Sequence, residues 1–205
     1  MLIPEGLVPS HGDDVAREIR NERHVLKVSQ KELAEIVGCS QSALSKLERG
    51  AQGIDSSLIC KVAEVMDLNL LGTISPPRIT SVAVGMRRLL QEDPPDTSLA
   101  FRILSRFTGQ WRSLANASDK LEAVSTRPLS TSDQRFDALL AGYVEHLCVT
   151  DEIQAPAWVY LNAYYLERFW WRTPLASMRA IEMAETPGAL SNRKVFTSAR
   201  SLESV

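Results

Sequence analysis

SQKELAEIVGCSQSALSKLERG, residues 29–50, reads as two short helices joined by a tight turn. Leu33, Ala34 and Val37 share one helical face, and Gly38 ends the run. Ser40 then caps a second run that turns Ala43, Leu44 and Leu47 inward. Ser29 is placed to cap the first helix, with Glu32 three residues on at the capping-box spacing. The second helix keeps Gln41, Ser42, Ser45 and Lys46 outward, short polar and amide side chains that suit the major groove better than a solvated surface. The stretch therefore predicts a helix-turn-helix, and with it a regulator that binds DNA.

The flanks extend this core. Upstream, Asp13 is the expected cap of a first helix, with Val15, Ile19 and Leu26 as its buried stripe. Residues 1–12 carry two prolines and two glycines without a period and read as a disordered arm. Downstream, the loop AQGID leads to Asp55, Ser56 or Ser57 as cap of a fourth helix, whose stripe is Leu58, Val62, Ala63 and Met66. Leu68, Leu70 and Leu71 continue the apolar content. Four or five helices over 13–72, with the motif at 30–49, can close a small core.

The segment from about Asp14 to Leu71 resembles the Cro/cI/Xre class of helix-turn-helix domains. Arg23, Ser29-Gln30-Lys31-Glu32-Leu33-Ala34, Val37-Gly38, Ser40 to Ser45, Leu47-Glu48-Arg49-Gly50 and Val62 to Met66 carry the resemblance. It implies that Gln30 contacts a backbone phosphate or braces Gln41. Gln41, Ser42 and Lys46 would face base edges, and Ser45 a base or a phosphate. Glutamine can bond N6 and N7 of adenine, and lysine the acceptors of guanine. The resemblance also places Arg23 and Glu48 as an internal ion pair that holds the fold. Two departures stand out: Lys27 occupies a position where relatives often have glycine, and the loop Ala51–Asp55 lacks basic residues. Backbone N–H groups of Gly50 to Gly53 would have to serve phosphate there.

Charge runs against a broad phosphate footprint. Through Ser75 there are eight basic residues against eleven acidic ones. Only Lys31, Lys46 and Arg49 lie near the reading helix, so dimerisation is expected to be part of any tight binding.

At GTISPP, residues 72–77, the pattern breaks, and 73–95 reads as a partly helical linker with Val82, Met86, Leu89 and Leu90 on one side and Arg87 and Arg88 on a solvated face. Residues 96–205 read as a helical domain for dimerisation or partner binding. Asp96 caps a long helix through Leu99, Ile103, Leu104, Phe107, Trp111 and Leu114, with a bend expected at Gly109 and a weak continuation through Leu121 and Val124. Ser132 or Asp133 starts the cleanest helix, with Phe136, Leu139, Leu140, Tyr143, Val144 and Leu147 on one face. The aromatic stretch 154–174 holds Trp158, Trp170 and Trp171, read as a core with a partner surface at one edge, because adjacent tryptophans on a helix diverge. A short helix from Leu175 to Ala184, a turn through Leu190 and a docked Leu202 complete the expectation. Phe136-Asp137-Ala138-Leu139-Leu140, Pro156-Ala157-Trp158, Trp170-Trp171 and Thr186 to Leu190 followed by Val195-Phe196 resemble the C-terminal region of actinobacterial antitoxin-like helix-turn-helix proteins. That resemblance implies a toxin-type protein partner.

Catalysis finds no footing. His146 beside Glu145 and Cys148 has no second histidine near it, and neighbours on a helix diverge by about 100°. The dipeptide Ala141-Gly142 resembles a self-cleavage site of phage repressors. It falls inside the cleanest helix, however, and the 63 residues after it are too few and too helical for a peptidase domain. Cys39, Cys60 and Cys148 are an odd number without metal or disulfide spacing, and Cys39 and Cys60 read as small buried residues. No membrane span or signal peptide is evident, so a cytoplasmic protein is expected.

The expectation is an all-α chain of two domains, not an enzyme, without metal or cofactor. It would be a dimeric repressor on a double-stranded operator, an antitoxin-like autoregulator of its own gene pair. Two other readings remain at this point: a ligand sensor with an aromatic pocket in the C-terminal half, and an interaction adaptor that no longer binds DNA.

Overall fold

Hydroxyl and carboxylate caps start the helices of the first half. In the computed structural model, which describes residues 11–51, 53–68 and 77–198, Ser29 Oγ accepts from Glu32 N at 3.1 Å and Ser40 Oγ from Ala43 N at 3.1 Å. Asp55 Oδ1 accepts from Ser57 N at 2.9 Å. These caps begin α2 (Gln30–Val37), α3 (Gln41–Glu48) and α4 (Ser56–Val65). Gly38, at φ +73°, turns the chain between α2 and α3 in the left-handed region. Helix α1 (His11–Val25) begins two residues before Asp13, which therefore lies inside it rather than at its cap. Ile19, Leu26, Leu33, Leu44 and Val62 are fully buried, and each such side chain contributes roughly 1.5–3 kcal/mol by leaving water. Residues 1–10, Leu70, Leu71, the GTIS of the expected boundary and Leu202 lie outside the described residues.

Lys27 sits at φ +51°, in the region glycine occupies most cheaply. The turn is held by its hydrogen bonds, Leu26 N to Glu22 O at 2.8 Å and Val28 N to Arg23 O at 3.0 Å, rather than by glycine's freedom. Lys27→Gly should therefore stabilise the first unit by up to about 1 kcal/mol, read as a rise of a few degrees in its thermal midpoint. A lower midpoint would show that Lys27's side chain outweighs its backbone strain.

The chain divides into two compact units, residues 1–74 and 75–205. The second is built on α8 (Gln134–Thr150), which buries ten of its 17 residues. Around it lie α5 (Ile79–Leu90), α6 (Thr97–Ser113), α7 (Ala117–Ser125), α9 (Arg179–Glu185) and α10 (Gly188–Ser191). The stretch 73–95 is thus not simply a linker: Ile79, Val82, Ala83 and Met86 of α5 belong to this unit's core. Arg87 is buried as well, because its guanidinium donates to Ser130 O at 2.6 Å. Helix α6 continues unbroken through Gly109, and Leu121 and Val124 belong to a separate helix capped by Asn116, whose side chain accepts from Asp119 N. Asp151 joins three helices, accepting from Trp111 Nε1 at 2.6 Å and pairing with Lys120 Nζ at 2.9 Å.

The aromatic stretch is not helical. Residues 157–160 and 162–164 form single 3-10 turns. Trp170-Trp171 is β1, paired parallel with β2, Val195-Phe196. The expected helix from Leu175 to Ala184 resolves into a 3-10 turn at Ala176–Met178 followed by α9. With only this two-residue pair as sheet among the described residues, the fold is all-α.

Candidate nucleic-acid interface

Helix α3 presents its N-terminal half outward. Gln41, Ser42 and Lys46 are exposed and Ser45 is half-buried, while Leu44 and Leu47 anchor the opposite side. Arg49 folds back on the same helix, its Nε donating to Ser45 O at 3.2 Å. The reading set therefore lies on one surface of one short helix.

Beneath it is a buried polar joint. Glu48 takes Arg23 in a two-pronged contact, Nε to Oε1 at 2.6 Å and Nη2 to Oε2 at 2.9 Å. Arg23 Nη1 also donates to Val28 O at 2.8 Å, in the turn between α1 and α2. Gln30 Nε2 donates to Glu48 Oε2 at 2.9 Å, so the Gln30 side chain is held by Glu48. Burial raises the Glu48 carboxyl, but hydrogen bonds from Arg23 and Gln30, with the Arg23 charge, hold it below the ordinary range. One carboxylate thereby fixes the end of α1, the start of α2 and the end of α3. The joint orients α3 against α2.

Residues 17–72, a little over a quarter of the chain, match the helix-turn-helix family model. This segment is a helix-turn-helix domain of the Cro/cI/Xre type. Comparison with curated proteins and with solved structures gives no match.

The Cro/cI/Xre-type domain gathers basic side chains in one place. Arg17, Arg20, His24 and Arg49 line one cleft between α1 and the end of α3. Their spacing of three and four residues on α1 was the available signal, since it puts 17, 20 and 24 on one helical face. The cleft lies at the C-terminal end of α3, about 10 Å along the helix from Gln41 at 1.5 Å per residue. In the loop after α3, Gly50 and Gly53 take φ +68° and +78°, and Gln52 lies outside the described residues. Asp55 is held below the usual carboxylate range by its Ser57 hydrogen bonds and stays charged there.

Trp158 is core: it is 7% exposed and its Nε1 donates to Val124 O at 2.8 Å. Trp170 packs on Phe101 and Phe136, and Trp171 stacks on Phe196 at 4.4 Å, both half-buried. The aromatic side chains expected around a pocket thus pack on one another. Cys39 is only half-buried and Cys60 is exposed, because α4 turns Cys60 away from the Val62–Ala63 side. Cys148 is buried, and burial with the nearby Asp151 and Glu145 charges pushes its thiol up to about 11. It is no nucleophile at neutral pH. His146 is half-buried on α8 beside Tyr143. Among the described residues no cluster of three or more His, Cys, Asp or Glu could hold a metal, and no helix is long and apolar enough to cross a membrane.

Proposed function

We propose that the chain is a sequence-specific transcriptional repressor that reads DNA with Gln41, Ser42, Ser45 and Lys46, with Gln30 at the adjoining start of α2. The observation that carries this reading is the outward set on α3, exposed while the residues around it are tied down by the Arg23–Glu48–Gln30 joint. A rigid helix keeps each side chain in register with a base edge, which a mobile one would not. Gln30 gives one amide N–H to Glu48, which leaves its second N–H for a phosphate and its carbonyl oxygen as an acceptor.

One such domain spans only a few base pairs, so the reading requires a dimer on two half-sites about 34 Å apart. The second unit supplies the dimer or partner contacts, and the faint C-terminal resemblance supports an antitoxin-like autoregulator that also holds a protein partner. Co-purification with the product of the neighbouring reading frame is the expected result of that role.

A shift assay with upstream DNA at low salt tests the DNA-binding reading, and no shift at micromolar protein would sink it in favour of an adaptor. Gln41→Ala should weaken operator binding by about 1–3 kcal/mol and relax preference at one position, with non-specific binding nearly intact. Equal loss on every sequence would mean that Gln41 holds phosphate rather than a base.

A further inference from the structure

Helix α9 is built inside out. Its sequence is RAIEMAE, and its one buried residue is Glu182, 6% exposed, whereas Ile181 and Met183 are 48% and 59% exposed. A helix on a globular domain ordinarily turns its apolar side chains inward. The preceding segment continues the same surface with Phe169 at 63%, Leu175 at 60% and Met178 at 40%. Scattered exposed apolar residues are ordinary, but these fall within 15 residues of chain that fold onto one support. Phe169 meets Phe196 edge-on at 5.4 Å, Trp171 stacks on Phe196, and the Arg179 guanidinium lies over Trp171 at 5.6 Å. Phe, Trp, Met and Arg are the residues that interface centres favour.

The charge around this surface is mostly positive: Arg168, Arg172 and Arg179 are exposed, against the exposed Glu167 and Glu185 at its two ends. A cleft of about 690 Å³ adjoins it, with Arg102 and Arg172 at its sides and Glu182 in its wall. Among the described residues neither arginine forms an ion pair with Glu182; Arg172 lies over the Phe101 ring at 4.7 Å instead. Glu182 Oε2 has no hydrogen-bond partner, and burial pushes its carboxyl up against the pull of the Thr173 N–H and Arg172.

We infer that this surface, centred on Phe169, Trp171, Met178, Ile181 and Met183, docks a protein segment presenting apolar side chains together with carboxylates. The apolar side chains cover α9, and the carboxylates meet Arg172, Arg179 and Arg102. The inference rests on the reading of the second unit as the partner-binding half and supplies its surface and the partner's chemistry. A second copy of the chain fits less well, because it would offer only Glu167 and Glu185 to Arg102, Arg168, Arg172 and Arg179. Nucleic acid fits poorly too, because it would leave five large apolar side chains without an apolar partner.

Selection of a displayed library of random 12-residue peptides on the full-length protein tests this. The expected result is enrichment of sequences combining Asp or Glu with Leu, Ile or Phe. Their binding should fall at least tenfold on Ile181→Asp and separately on Arg172→Glu, with unchanged far-ultraviolet circular dichroism and thermal midpoint. Met183→Asp gives an independent exposed variant should Ile181→Asp fold poorly. Enriched peptides without acidic residues, or binding indifferent to all three variants, would overturn the inference. So would a wild-type dimer that Ile181→Asp converts to monomer in sedimentation, or non-operator DNA whose binding is lost in Arg172→Glu. Should acidic peptides bind while the neighbouring gene product does not co-purify, the docking surface stands and the antitoxin-like role falls.

Discussion

Replacing Glu48 with alanine is expected to cost the helix-turn-helix unit about 3–5 kcal/mol, read as the shift of its urea midpoint. Arg23 is 7% exposed, and in the variant its guanidinium stays buried with Val28 O as its remaining acceptor. Removing one partner of a buried pair is costly because the other charge is stranded. Arg23→Met with Glu48→Leu should lose much less, since no charge is then buried. A loss as large in the double variant would assign the cost to packing alone. The pair also sets an acid limit. The folded Glu48 carboxyl lies below its ordinary value, so its contribution is fully present above about pH 4.3 and is lost as pH falls through the folded value. Wild type should lose this part of its stability on acidification, and Glu48→Ala should not show it.

Arg193→Ala should cost the second unit about 3–5 kcal/mol, followed by tryptophan fluorescence during denaturation. Arg193 is 1% exposed and holds three acceptors at once. It pairs with Glu145 of α8, and it donates to Ala189 O and to Val159 O at 2.6 Å each. Tyr165 lies against its guanidinium at 4.9 Å. The residue thus binds the aromatic turn, α10 and α8 together, beside Gly142, where a Cβ would meet Leu190 Cδ2 at 2.7 Å. Arg193→Lys keeps the charge but not the planar fork, and should recover little of the loss. Full recovery by lysine would reduce Arg193's role to its ion pair with Glu145.

The two halves differed in how much of this was legible. In the first, the caps, Gly38 and the apolar stripe are local features, because helix starts, stops and faces depend on neighbours within four residues. The outward set on α3 followed from the same periodicity. Gln30's partner did not, since Glu48 stands 18 residues away in the chain and only the packing of α2 on α3 brings them together. Arg17 and Arg20 were likewise hidden in a bulk count that averaged over the unit.

In the second half, α6 and α8 were plain in the hydrophobic period, whereas Arg87 looked like a solvated cation until Ser130 O gave it a buried acceptor. Trp170-Trp171 became a strand only because Val195-Phe196, 25 residues on, offered a parallel edge. An isolated two-residue strand has no local signature, and its energy comes from the partner.

By itself, then, the sequence determined the helix-turn-helix, its capped boundaries and the side chains it turns outward, because each depends on contacts between near neighbours. Only the tertiary structure decided which charges are buried and which apolar side chains remain outside. The Arg23–Glu48 pair was implied by the resemblance, but Arg87 and Arg193 find their acceptors, and α9 turns Ile181 and Met183 to solvent, through contacts between segments far apart in the chain, where no local pattern records the pairing.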